Sequence, residues 1–209
     1  MEGSIYFIGL IETDENREIL SVTKELLLLS DFNLVYENIS GEIICYSNKN
    51  MILVLLDVIS DELYSLNLSK FNFDIVVHSS LEKVDSYIIN KVLSKSKICI
   101  INSDNVDLLS LVSSLEDVII ITYGYHSKAT LSISSYEKDE LMKVNLSLQR
   151  EINPILGEKI EPFEFCLSIN SLEEEKIYSL LAGATLNILI GDGILNKSIE
   201  KNIVIDSKS

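Results

Sequence analysis

Apolar and polar positions along this chain follow two alternating rhythms. SIYFIGL at 4–10, MILVLLDV at 51–58, FDIVVHS at 73–79, KICIIN at 97–102 and DVIIITYG at 117–124 are apolar at consecutive positions. Strands buried on both faces of a parallel sheet read this way. Between them the period lengthens to that of a helix. Residues 15–30 put Ile19, Val22, Leu26 and Leu29 on one stripe, residues 82–95 do so with Val84, Ile88 and Val92, and residues 105–116 with Leu108, Val112 and Leu115. LVYENI at 34–39 and EIICYS at 42–47 predict a hairpin around Ser40-Gly41.

Past residue 125 the pattern changes. KATLSISSYE, LMKVNLSLQ and FEFCLSI alternate and are broken by polar residues, which predicts antiparallel strands. SLEEEKIYSLLAGATLNILIGDG, 171–193, predicts a last helix, opened by a Ser171–Glu174 capping box and closed at Gly191 or Gly193. The tail NKSIEKNIVIDSKS is either an edge strand or a frayed end. Alternation of two-sided strands with helices predicts an α/β three-layer sandwich around a mostly parallel sheet, with a few antiparallel strands near the C-terminal half. No repeat, low-complexity tract or Pro/Gly-rich linker divides the chain, so residues 1–209 are expected to form one domain. In such sheets ligands bind at the carboxyl ends of the strands.

Composition narrows the function classes. At 209 residues and 47% apolar, the chain holds enough for a substantial core. A net charge of −15 repels phosphates, which sets aside nucleic acid and anionic membranes as partners. Cys45, Cys99 and Cys166 lie far apart in apolar stretches, without zinc spacing, and are expected to be buried reduced thiols of a cytoplasmic protein. The N-terminus has no secretory pattern, and the longest apolar runs, such as MILVLL, are too short to span a bilayer.

Four stretches, in order, resemble the central, ATP-binding domain of the Mur ligase family, a P-loop NTPase-like fold. LVLLDVISDELYSLNLSKFNFDIVVHSSL is similar to the family's E-V-S-S strand and the following F-D strand that ends in T-N. ICIINSDN is similar to its N-a-D-D strand end, and IITYGYHSKATLSIS to its t-y-G strand and the strand beyond. EPFEFCLSINSLEEEKIYSLLAGATLNILIGDGI is similar to its long C-terminal helix, which runs to a glycine. Members of that family join an amino acid to a carboxylate during peptidoglycan synthesis, through an acyl phosphate. They carry two further domains, and this chain is expected to lack both.

The resemblance also implies site residues. The family's phosphate loop follows the first strand as glycines and then Lys-Thr. Counted from Gly9, GLIETDENR supplies one glycine, places Thr13 within the loop, and puts Asn16 and Arg17 at the Lys-Thr positions. Without further glycines the backbone N–H groups cannot curl around a triphosphate. Arg17 keeps a positive charge, but Glu12, Asp14 and Glu15 oppose it. Each carboxylate about 4 Å from a phosphate oxygen costs on the order of 1 to 4 kcal/mol at surface-like dielectric. The acids read equally well as an ordinary helix start, with Asp14 as its cap and Glu12 and Glu15 exposed.

Asp57 corresponds to the family's magnesium-binding strand-end Glu, and Lys91, in YIINK, to its carbamylated lysine. Read without the family, they are a polar strand end and a solvated helix lysine. No His stands at the family's metal-binding position, and His78 is expected to be half-buried. Asn102 and Asp104 match the adenine- and ribose-side residues, and a strand-end turn explains them nearly as well. His126 has no patterned nucleophile or carboxylate beside it, so no catalytic residue is assigned.

These readings favour a catalytically inactive Mur-ligase-like domain that binds a protein partner, in cell-wall or spore-envelope assembly, with no cofactor. Two alternatives stay open. One is a divergent ATP- and Mg²⁺-dependent carboxylate–amine ligase, completed by a second chain. The other is a nucleotide sensor using Asn102 and Asp104. Partner identity and oligomeric state are not readable from the sequence.

Overall fold

The architecture follows from the need to hide both faces of the apolar strands. The computed structural model describes residues 3–12, 17–58, 71–78, 86–191 and 203–205, the side chains of 86–88 and 203 excepted. The elements run β1 (Ser4–Ile11), α1 (Glu18–Leu29), β2 (Asn33–Glu37), β3 (Ile43–Ser47), β4 (Met51–Asp57), β5 (Phe73–His78), α2 (Ser86–Leu93) and β6 (Ser96–Asn102). They continue with α3 (Val106–Val112), β7 (Ile119–Gly124), β8 (Leu131–Lys138), β9 (Met142–Leu148), β10 (Phe163–Ile169), α4 (Lys176–Ile190) and β11 (Ile203–Ile205).

The strands form one sheet in the order β11-β10-β9-β8-β7-β6-β5-β1-β4-β3-β2. From β4 to β8 every neighbouring pair is parallel. The hairpin β2–β3 adds to β4 antiparallel, and β8, β9 and β10 form an antiparallel meander. The five strands expected to be parallel are parallel, and the hairpin lies where it was expected. The tail supplies β11, an edge strand parallel to β10.

Two cores lie on opposite faces. Ile8, Leu10, Ile75, Val77, Ile100 and Ile121 pack with α1 and α4. Ile11, Val76, Cys99 and Ile101 pack with α2 and α3. Sheet and two helical layers make the three-layer sandwich. The stripes hold at Ile19, Val22, Leu26, Leu108, Val112 and Val92, all buried. The side chains of Val84 and Ile88 lie outside the described residues.

Helix α4 is apolar around most of its circumference, and 13 of its 15 residues are buried. Two of its interior polar groups turn back on the helix: Thr185 Oγ1 donates to Leu181 O at 2.7 Å, and Asn187 Nδ2 to Gly183 O at 3.0 Å. A buried hydroxyl or amide satisfied this way escapes the cost of lost hydration. The start of α4 differs from expectation. Ser171 Oγ accepts the N–H of Glu173, two residues on, and Glu174 is drawn to Lys138 on β8 at 2.8 Å. The tertiary ion pair replaces the capping box, and the helix begins only at Lys176.

The other end stops as expected at Gly191. Its φ of +90° is left-handed, and its N–H bonds Asn187 O at 3.1 Å. The loop after β9 then satisfies the last carbonyls, with Ile155 N on Leu189 O at 2.7 Å and Leu156 N on Ile190 O at 3.1 Å. A Cβ on Gly191 would run into the carbonyl of Leu156. Gly191→Ala is therefore expected to cost at least about 2 kcal/mol. Thermal denaturation should show Tm lower by roughly 4–8 °C.

Candidate functional site

Parallel strands end on the same side, so β1, β4, β5, β6 and β7 deliver Glu12, Asp57, His78, Asn102 and Tyr123 to one edge. The register pairs Leu10 with Asp57, Ile11 with His78, His78 with Ile101, and Asn102 with Tyr123. This edge holds most of the residues singled out from the sequence.

Strand β1 runs through Ile11, so Gly9 is a strand residue and not the opening of a loop. A Cβ there would lie 3.0 Å from the Phe73 ring and from Val58 Cγ2, so the glycine serves close packing. Glu12 follows at once. It is buried, and its Oε1 and Oε2 accept the backbone N–H groups of Ile19 at 2.6 Å and Leu20 at 3.3 Å. This overturns the expectation of an exposed Glu12. The carboxylate satisfies two of the first-turn amides of α1 and sits at the positive end of its dipole. Thr13, Asp14, Glu15 and Asn16 lie outside the described residues.

Arg17 is the residue before α1, in the left-handed region at φ 47°. Its Nε lies 3.1 Å from Asp57 Oδ2, and its Nη1 donates to Ser40 O at 2.7 Å. The structure thus joins two residues that the sequence placed in separate roles, one at the phosphate loop and one at the metal. Beside them a concavity of about 350 Å³ is lined by Leu20, Ser21, Lys24, Glu37 and Ser40. Lys24 is paired with Glu37 at 2.6 Å, so both cations of this concavity already hold a carboxylate. Lys91 is half-buried in the last turn of α2, in the layer on the other core, where its charge suits the helix C-terminus.

Asn102 and Asp104 come together as a strand-end turn. Asn102 Oδ1 accepts the N–H of Asp104 at 2.9 Å, while its buried Nδ2 has no partner among the described residues. Asp104 Oδ2 accepts the N–H of Tyr125 at 2.7 Å and the hydroxyl of Tyr178 at 3.2 Å, tying β7 to α4. Burial and then the Asp104 charge push the Tyr178 hydroxyl up to about 12. Asn105 caps α3 by accepting Leu108 N–H at 3.0 Å.

Tyr123, which sequence reasoning passed over, is fully buried and donates to His78 O at 3.2 Å, linking β5 and β7. Burial raises its pKa well above the ordinary value, with the Glu12 charge next. His78 is not half-buried but buried, flanked in register by Ile11 and Ile101. Neither ring nitrogen has a partner among the described residues, and burial lowers its pKa to about 4. His126 is exposed, and its Nδ1 accepts the N–H of Lys128 at 3.1 Å. Of the cysteines, Cys99 is buried as expected, whereas Cys45 and Cys166 are half-buried. Among the described residues no helix is long and apolar enough to cross a membrane.

No protein-family model and no curated protein matches the chain. Solved structures do. A murein peptide ligase from Psychrobacter arcticus superposes with a TM-score of 0.60 at 8% identity, over 89% of this chain and 44% of that one. MurF ligase from Thermotoga maritima, in complex with ADP, gives 0.59 at 13% identity over 96% and 49%. The UDP-N-acetylmuramate:L-alanyl-gamma-D-glutamyl-meso-diaminopimelate ligase from Neisseria meningitides gives 0.59 at 8% identity over 90% and 61%. At such identities the likeness establishes the fold: a mostly parallel open α/β sheet with a few antiparallel strands, like the central domain of Mur ligases. The chain spans 44–61% of the length of these proteins.

Two outcomes follow from the strand-end edge. Glu12→Ala leaves the amides of Ile19 and Leu20 without their buried acceptor and is expected to cost about 1–3 kcal/mol, read as a lower urea midpoint. His78 gives a pH signature. With its pKa at about 4 when folded against 6.5 ordinarily, the unfolded chain binds the extra proton between those values. The contribution is complete above pH 6.5 and is lost as pH falls toward 4, by up to roughly 3 kcal/mol. Unfolding free energies across that range should fall more steeply for the wild type than for His78→Leu, in which the carboxylate contributions are shared and cancel.

Proposed function

We propose that this chain is a Mur-ligase-like domain that has given up nucleotide chemistry and acts by binding a protein partner. The observation that carries this reading is the pair of internal contacts at the end of β1. The Glu12 carboxylate lies on the first amides of α1, where a phosphate would otherwise be held, and Arg17 lies on Asp57, where a metal would be needed. An incoming Mg²⁺-triphosphate would have to displace a buried, hydrogen-bonded carboxylate and break a partly buried ion pair. These costs oppose binding before any contact is gained.

The phosphate loop is thus read as degenerate at Gly9, Thr13, Asn16 and Arg17, and no residue is given a catalytic role. Cell-wall or spore-envelope assembly is the proposed process, by analogy with the murein ligases that share the fold. The competing sensor reading has one observation in its favour, the buried Asn102 Nδ2 without a partner among the described residues.

Thermal unfolding in millimolar Mg-ATP is the test. Tm is expected to stay unchanged, whereas saturation at 100 times Kd would add roughly 2.7 kcal/mol. A rise abolished by Asn102→Ala would establish the sensor instead. A rise accompanied by ADP release would point to the ligase.

A further inference from the structure

We propose that the strand-end surface beside α4 seats an arginine side chain presented by a basic protein partner, with Tyr125, Tyr178 and Asp104 as its contacts. This rests on the partner-binding reading above and names the chemistry of the partner. Tyr125 follows β7 directly and Tyr178 lies in the first turn of α4. Their ring centroids are 5.1 Å apart and the planes are tilted at 59°. Both rings are half-buried, packed on the core beneath and reaching solvent above. Asp104 is fixed beside them. Its Oδ2 accepts the Tyr125 N–H at 2.7 Å and the Tyr178 hydroxyl at 3.2 Å. A Cβ on Gly124 would lie 2.8 and 2.9 Å from the two carboxylate oxygens, so the glycine leaves room for this acid. The neighbouring cations are committed elsewhere. Lys138 holds Glu174 at 2.8 Å, and Lys176 lies 3.6 Å from Glu18 and 3.7 Å from Glu173. Among the described residues Asp104 therefore has no cationic partner.

The chain builds the same kind of seat once for itself. The Tyr136 hydroxyl bonds the Glu174 carboxylate, and Lys138 sits on both, 2.8 Å from the carboxylate and 5.9 Å from the ring centroid. A cation that meets a carboxylate and a tyrosine face together gains from each. Tyr178 and Asp104 repeat the pairing of hydroxyl and carboxylate, and Tyr125 adds a second ring. Burial, and then the nearness of Tyr178, Tyr136, Glu174 and Asp104, push the Tyr125 hydroxyl up to about 12, so the two seats adjoin. Arginine suits the second seat best, because a planar guanidinium can lie on a ring while its N–H groups reach a carboxylate.

The surroundings select a basic partner. Glu173, Glu174 and Glu175 are exposed in succession just before α4, and the whole chain carries −15. Such a field draws a basic segment in and turns an acidic one away.

Fluorescence anisotropy on the whole chain tests this, with a labelled peptide of alternating glycine and arginine as the probe. Saturable binding is expected, weakening as salt rises. The same peptide with citrulline in place of arginine should bind at least about tenfold more weakly. Asp104→Asn keeps an acceptor for Tyr125 and Tyr178 but removes the charge, and Tyr125→Leu removes a ring. Each should weaken the arginine peptide about tenfold. Glu158→Gln removes an equal charge from the loop bonded to the far end of α4, and should leave binding intact. If Tyr125→Leu lowers Tm, Asp104→Asn decides the matter. No binding at millimolar peptide, equal binding of the citrulline peptide, or equal weakening by Glu158→Gln overturns the inference. So does free arginine amide binding as tightly as the peptide, since the seat would then serve a small cation. Such a failure with Tm unmoved by Mg-ATP removes this seat alone, whereas an ATP-dependent rise removes the partner-binding reading itself.

Discussion

The constraint behind most of this structure is that a parallel sheet must be kept from water on both sides. The central strands have no polar face to offer, so helices cover each of them twice, α1 and α4 on one side and α2 and α3 on the other. The crossovers that bring those helices also bring the strand ends into line. The grouping of Glu12, Asp57, His78, Asn102 and Tyr123 is therefore a by-product of topology, and by itself it says nothing of chemistry. What the site can do depends on which of these groups are already engaged.

At this edge the charged groups Glu12 and Asp57 are both engaged. A helix N-terminus is a standing demand for negative charge, and here Glu12 answers it from within the chain. A guanidinium beside a strand-end carboxylate is likewise a closed pair. The acceptor at the start of α1 and the partner of the guanidinium thus both come from within the chain. Such a site is stable without a ligand, and the same contacts that steady α1 would have to be undone to admit one.

Much of the fold was legible in the sequence because two-sided strands and helical stripes are local patterns. The hairpin at β2–β3, the parallel strands and the Gly191 stop all carry their signals within a few residues. The misreadings share a different cause. Glu12 stands directly after β1 because the strand runs one residue further than its apolar pattern suggested, and its carboxylate is thereby brought onto α1. In a strand buried on both faces, alternation does not mark depth, so His78 gave no sign of being covered. The capping box at Ser171 failed because Lys138, remote in sequence, competes for Glu174. Tyr123 looked like one more apolar strand residue, and only the packed structure shows its hydroxyl reaching across to β5.

The end of α4 has a consequence for the order in which the chain folds. The loop between β9 and β10 donates two of its amides to the last carbonyls of a helix that comes later in the sequence. Until α4 has docked, the amides of Ile155 and Leu156 have no such acceptors, and this connection cannot settle. Emerging from the ribosome, the antiparallel half is thus left waiting for a segment made after it. The β9–β10 connection and α4 are thereby coupled through contacts far apart in sequence, the kind that form late because chain closure must precede them.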